Sequence, residues 1–228
     1  MPPEGSLITV WHPPGVDPGL PPGVDPGLPP GVRIPLPVHH VFIGRYGPAE
    51  GVHLTLRSYA VSRYHACLRA HADGWRLCDL DSRNRTFLNR AEVAAYEDRP
   101  LADGDVISIC DHAFLFATES FDRRWLSADV VPLARGILDD GAWDRLGMLG
   151  DALVDAGCDW GPLLQNCSAS GNLVIGRWAL YYLLREAGEF DPVPSPLVAD
   201  VDDGARPARF GPLELFEHIQ PSGAAAGV

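Results

Sequence analysis

No lysine occurs anywhere in the 228 residues; all eighteen basic side chains are arginine. That absence removes whole reaction classes. A P-loop needs its lysine on the terminal phosphates, a protein kinase needs its strand lysine, and Schiff-base chemistry needs an amine. A Gly-x-Ser-x-Gly nucleophile elbow is missing as well. Cysteine is scarce and odd in number: Cys67, Cys78, Cys110, Cys158 and Cys167 are scattered without the close spacing of a zinc site. They read as reduced, mostly buried thiols, and neither a metal nor a cofactor is expected. Long apolar runs are missing too. The most apolar stretch, Leu173 to Leu184, is 12 residues and is interrupted by Arg177. No basic segment followed by an apolar one opens the sequence, so no membrane association and a cytoplasmic location are expected.

What is present is unevenly distributed. Residues 31–118 hold ten arginines against ten acids, whereas residues 119–228 hold eight arginines against seventeen acids. The second half would repel a phosphate backbone and the first would attract it little, which argues against duplex nucleic acid as a partner. A hydrophobic share of 46% leaves ample material for a buried core.

A β-like run, Leu7 to Trp11, is followed by a duplication, PPGVDPGL at residues 13–20 and again at 21–28, with a third copy that fades at Arg33. Glycine recurs every fourth residue there, which excludes the every-third pattern of a collagen helix, and the proline density forbids helix and interior strand. The repeat reads as an expanded loop between two strands or as a ligand for a proline-binding domain, for which nothing else in the sequence argues. From Arg33 to Thr118 come short β-like runs: 33–36, 41–44, 53–56, 65–71, 75–79, 106–109 and 113–117. Many short runs with turns between them predict an antiparallel β-sandwich. Past Ser120 the period becomes helical. Ser127 is suited to cap a helix over Ala128–Leu138, the Trp143–Leu153 spacing marks a second helix stopped at Gly157, and Val174–Glu186 marks a third stopped at Gly188. The expected organisation is therefore a strand at 1–12, a Pro/Gly loop at 13–32, a sandwich over 33–118, a small α-helical region over 119–190 and a tail at 191–228. A brief helix is expected in the tail at Leu213–Ile219.

Four segments carry chemistry: FIGR at 42–45, VSRYHA at 61–66, DLDSRNRTFLN at 79–89 and LADGDVI at 101–107. A phosphorylated side chain presents about two negative charges and three acceptor oxygens, so its receptor gathers arginine, hydroxyl and amide donors from separate loops. Arg45, Ser62, Arg63, Arg83 and Asn84 offer such a set. Order and spacing of these segments resemble the forkhead-associated (FHA) domain over about residues 31–118, reaching back to residue 7 if the repeat is a loop insertion. The resemblance implies a mainly β sandwich that binds a phosphothreonine-containing protein or peptide and catalyses nothing. It assigns phosphate or backbone contacts to Arg45, Ser62, Arg63, Arg83 and Asn84, and supporting roles to Gly44, His65 and Thr86. Asp79 and Asp81 read as turn formers rather than a catalytic pair, and Arg57, Arg69 and Arg90 as exposed surface charges.

Two positions depart from the family pattern. Asn-Gly-Thr becomes Asn84-Arg85-Thr86, and a later Asn-Gly becomes Asn89-Arg90. An arginine forced into positive φ costs about 1 kcal/mol or more. Arg85 either adds a cation beside the phosphate or spoils the pocket; in the second case the chain would be a phosphate-independent scaffold whose helices hold the interface. Residues 143–158, WDRLGMLGDALVDAGC, resemble a short segment that recurs in multidomain planctomycete proteins, with no activity attached to it.

Overall fold

The computed structural model describes residues 4–10, 29–36, 40–45, 51–56, 58–118, 120–168 and 178–190. Most of the Pro/Gly repeat, Arg57 and the tail with its expected Leu213–Ile219 helix lie outside them.

Two sheets face each other. One has six strands: β1 (Ser6–Val10), β2 (Arg33–Pro35), β7 (Thr86–Leu88), β8 (Ala91–Glu92), β10 (Val106–Ile109) and β11 (His112–Ala117), in the order β2-β1-β11-β10-β7-β8. The other orders β4 (Leu54–Thr55), β3 (His40–Gly44), β5 (Ala66–His71), β6 (Gly74–Asp79) and β9 (Arg99–Pro100). Pairing is antiparallel except for β3 with β4, which run parallel. The sandwich expected from the sequence is thus present, and it begins earlier than residue 33. Strand β1 lies between β2 and β11, so the repeat is inserted between two paired neighbours.

Alternation along the strands explains their composition. On β1, Leu7 points between the sheets while Ile8 and Val10 point the other way, and on β11 Phe114 and Phe116 oppose Ala113, Leu115 and Ala117 in the same fashion. Both faces are apolar because both are covered. The outer face meets four helices: α1 (Val130–Asp140), α2 (Leu146–Asp155), α3 (Gly161–Cys167) and α4 (Trp178–Glu186). Ile137, Leu149, Leu153, Leu163, Trp178 and Leu183 join that second core, with Trp160, Trp178 and Tyr182 in mutual aromatic contact.

Local signals place most of these helices. The Ser127 hydroxyl accepts from the Val130 N–H at 3.3 Å, so α1 starts two residues later than the capping pattern suggests. Gly157 and Gly188 take φ of +80° and +81°, and Cys158 N–H reaches back to the Leu153 carbonyl at 2.9 Å, the glycine-terminated end expected there. Helix α3 and strands β7, β8 and β9 are additions to the sequence reading. They are seven residues or fewer, too short for a periodic signal.

The helices are tied to the C-terminal end of the repeat and to one turn of the sandwich. A Cβ at Gly31, whose φ is +72°, would lie 2.4 Å from the Tyr182 backbone nitrogen, so only glycine lets this arm rest on α4. Arg185 donates to the Pro30 carbonyl at 2.9 Å. At the other contact the Trp160 indole N–H donates to Asp103 at 2.8 Å, and Pro162 sits over Gly104.

Arg69 corrects an expectation. It is 8% exposed and grips Asp98 through two bonds of 3.0 and 3.2 Å on the outer face of the five-stranded sheet. Its neighbours Cys67 and Cys78 stand opposite each other, and burial pushes their thiols up to about 12 and about 11. All five thiols are free, and four are buried. No helix among the described residues is long and apolar enough to cross a membrane, and no group of His, Cys, Asp or Glu among them is arranged to hold a metal.

Candidate functional site

Three segments meet at one end of the sandwich: Gly44–Arg45 at the end of β3, residues 58–65 leading into β5, and residues 79–86 at the join of β6 and β7. Their joining is a matter of backbone. Arg45 N–H donates to the Ser62 carbonyl at 3.0 Å, and Leu56 N–H donates to the Gly44 carbonyl at 2.8 Å. A Cβ on Gly44 would lie 2.1 Å from the Arg63 carbonyl oxygen and 2.9 Å from its carbon. The glycine of the Gly-Arg pair is therefore needed for close approach rather than for an unusual φ.

Ser62 stands at the centre. Its hydroxyl oxygen accepts from the Arg83 N–H at 3.0 Å, which ties the second loop to the third. A hydroxyl used as acceptor in this way still has its own O–H to donate. Arg45, Arg63 and Arg83 are all exposed, and each backbone lies one hydrogen bond or one residue from Ser62. Among the described residues, Arg45 and Arg83 have no acidic partner. The Asn84 side-chain amide donates to the Ala60 carbonyl at 2.7 Å, and the Cys110 thiol donates to the same oxygen at 3.2 Å. Asn84 thus links two loops and remains at the surface.

Beneath this surface lie two buried braces. Asp79, fully buried, accepts from Ser82 N–H at 2.9 Å and from the hydroxyls of Ser82 and Thr86 at 2.6 Å each. Through these bonds it joins Ser82 and Thr86 across the turn. His65 is the second brace. Its Nδ1 accepts from the Ser62 N–H at 3.0 Å, so Nε2 carries the proton and donates to the Arg85 carbonyl at 3.1 Å. Burial lowers the His65 pKa below its ordinary 6.5; the bond to the Arg85 carbonyl and the Asp79 charge oppose the shift without cancelling it.

That brace makes the site acid-sensitive, with a definite sign. Because the folded pKa is depressed, the unfolded chain takes up the proton first as pH falls. The contribution of His65 is complete above about 6.5 and is lost as pH drops from there through the folded value. Chemical unfolding at pH 7.5 and pH 5.5 should show lower stability at the acidic value, and His65→Gln should flatten that difference; an unchanged difference would remove His65 from this role.

Arg85 is held by its backbone conformation and by two acidic neighbours. It takes φ +62°, and Arg90 takes +70°, so both arginines occupy the left-handed conformation for which glycine is suited. The Arg85 guanidinium lies 3.0 Å from Asp81 and 3.6 Å from Glu92. These contacts hold it on the acidic flank of the loop. Such half-exposed pairs contribute at most about 1 kcal/mol each, enough to offset much of the backbone cost. Ser82, Ala60 and Cys110 are site residues that sequence reasoning missed. The first is a buried hydroxyl and the second acts through its carbonyl, features that residue type does not reveal.

Residues 41–110 match the family model of the FHA domain. Among solved structures, one from a study of phosphothreonine-dependent FHA domain interactions shares 24% identity, over 52% of this chain and 99% of that one, with a TM-score of 0.37. Mycobacterium tuberculosis EmbR, solved with a low-affinity phosphopeptide, shares 24% identity over 52% of this chain and 25% of its own length, with a TM-score of 0.39. The FHA domain of an Arabidopsis thaliana hypothetical protein shares 21% identity over 53% and 90%, with a TM-score of 0.40. No curated protein matches the chain. Two mostly antiparallel sheets, the Gly-Arg, Ser-x-x-His and Asn-x-Thr segments brought to one end, and the family match agree: this chain carries an FHA domain.

Proposed function

We propose that the chain binds phosphothreonine-containing segments of partner proteins and so reads the output of a Ser/Thr kinase. One observation carries the reading: the exposed arginines 45, 63 and 83 come from three braced loops whose backbones are bonded to Ser62 or adjoin it. A phosphate offers three acceptor oxygens and about two charges, and a positioned hydroxyl with arginines from three loops matches both. Asn84 clamps the backbone of the bound segment. Arg85 acts indirectly, ordering the loop through Asp81 and Glu92. The process is equilibrium binding without a reaction, in the cytoplasm, and nucleic acid and membrane are not partners.

Each charge-assisted hydrogen bond is worth about 1.5–3 kcal/mol, so losing one should weaken binding roughly 10- to 100-fold. Arg45→Ala and Ser62→Ala should each reduce affinity for a phosphothreonine peptide by that factor while leaving the weak binding of the unphosphorylated peptide unchanged. Fluorescence anisotropy with both peptides measures this. Retention of the full phosphate preference in both variants would refute the assignment.

A further inference from the structure

A second recognition surface lies on the helices. Helix α2 turns Leu146, Leu149 and Leu153 into the core, and its opposite stripe carries Met148, Asp151 and Asp155. Between this stripe and the start of α1 runs a groove of about 450 Å³. Leu133, Ala152 and Ala156 form its floor, and Asp129, Asp151 and Asp155 its rim. Met148 is 58% exposed and lines it, so the groove offers an accessible apolar side chain beside its floor. Among the described residues none of the three rim carboxylates has an ion-pair partner. The end of α2 adds the partial negative charge of its last carbonyls, with no basic residue in its final turn.

We infer that this groove docks an arginine- or lysine-rich amphipathic segment of a partner protein, separately from the phosphothreonine site. Charge complementarity selects the occupant. The rim repels phosphate backbones and anionic lipid, and the apolar floor with flexible Met148 calls for an apolar anchor between the cations. None of the groove residues belongs to the three FHA loops, so the two surfaces can be occupied together. A partner that carries a phosphothreonine and a basic apolar stretch would then be held at two points.

The full chain can be titrated by fluorescence anisotropy with fluorescein-labelled synthetic peptides of equal length. One carries leucines at helical spacing with arginines between them; a second has glutamate for each arginine; a third keeps the arginines and replaces the leucines with serine. The first should bind saturably and the other two at least several-fold more weakly. The Asp151→Asn, Asp155→Asn double variant should weaken the first peptide about fivefold, as expected for two surface ion pairs, and added salt should do the same. Met148→Ser should weaken it several-fold. All three substituted residues are exposed, and circular dichroism with an unchanged melting temperature shows that the variants are folded. Equal binding of the arginine–serine peptide, or no response to Met148→Ser, would reduce the surface to general charge attraction and overturn the proposal. Self-association of the native chain that Met148→Ser abolishes would make a second copy the occupant and overturn it equally.

Discussion

Residues 1–118 expressed alone will fail to give a folded monomer, although they contain every strand of the sandwich. The reason is the outer face of the six-stranded sheet. Ile8, Val10, Ala113, Leu115 and Ala117 point away from the sandwich core and into the helices. Burying a Val, Leu or Ile side chain is worth about 1.5–3 kcal/mol, so uncovering Ile8, Val10 and Leu115 alone removes about 5–9 kcal/mol. A domain of this size has a total stability of about 5–15 kcal/mol, so little is left. Trp160 on Asp103 and α4 on Gly31 would be lost as well. Size-exclusion chromatography and circular dichroism of the fragment should show aggregate or unfolded chain beside a well-behaved residue 1–190 fragment. A soluble, cooperatively unfolding 1–118 monomer would show that the helices are an appendage.

Gly44→Ala should be the most damaging single-methyl change in the recognition end. The added carbon would meet the Arg63 carbonyl at 2.1 Å, and that obstacle is backbone, which cannot rotate away. Moving the 61–65 segment lengthens the Arg45–Ser62 and His65–Ile43 bonds together. Overpacking plus lost hydrogen bonds predicts a loss of more than about 2 kcal/mol and a fall in melting temperature of several degrees. Phosphopeptide binding should fall further than stability requires, because Ser62 and Arg45 are displaced. The matched control is Gly136→Ala in α1, where nothing lies within 4 Å and the helix gains about 0.5–1 kcal/mol. Native-like melting and binding in Gly44→Ala would contradict the close approach.

The sandwich and the three segments that meet at its end were legible for one reason: both are encoded in local pattern. Alternating runs place β5, β6, β10 and β11, and the Gly-Arg, Ser-x-x-His and Asn-x-Thr segments keep their spacing whatever packs around them. Long-range facts were not legible. The strand at β1 was legible and its membership of the sheet was left open; the pairing with β11, more than a hundred residues away, decides it. Arg69 is buried because Asp98, on a loop beside β9, comes within reach, which nothing near Arg69 announces. The contacts of Arg85 depend on Asp81 in its own loop and on Glu92 of β8 coming within reach. Even so, the sequence correctly marked residues 85 and 90 as positions built for glycine, since both take positive φ.

The central claim is that Ser62 and its surrounding arginines read a phosphate. A degenerate phosphothreonine-centred peptide library, titrated against the native full chain before and after phosphatase treatment, tests it without knowledge of the partner. The account predicts saturable binding of the phosphorylated pool at least tenfold tighter than the dephosphorylated pool, in line with the loss of about 1.5 kcal/mol or more per charged hydrogen bond. Equal affinity for the two pools would contradict it.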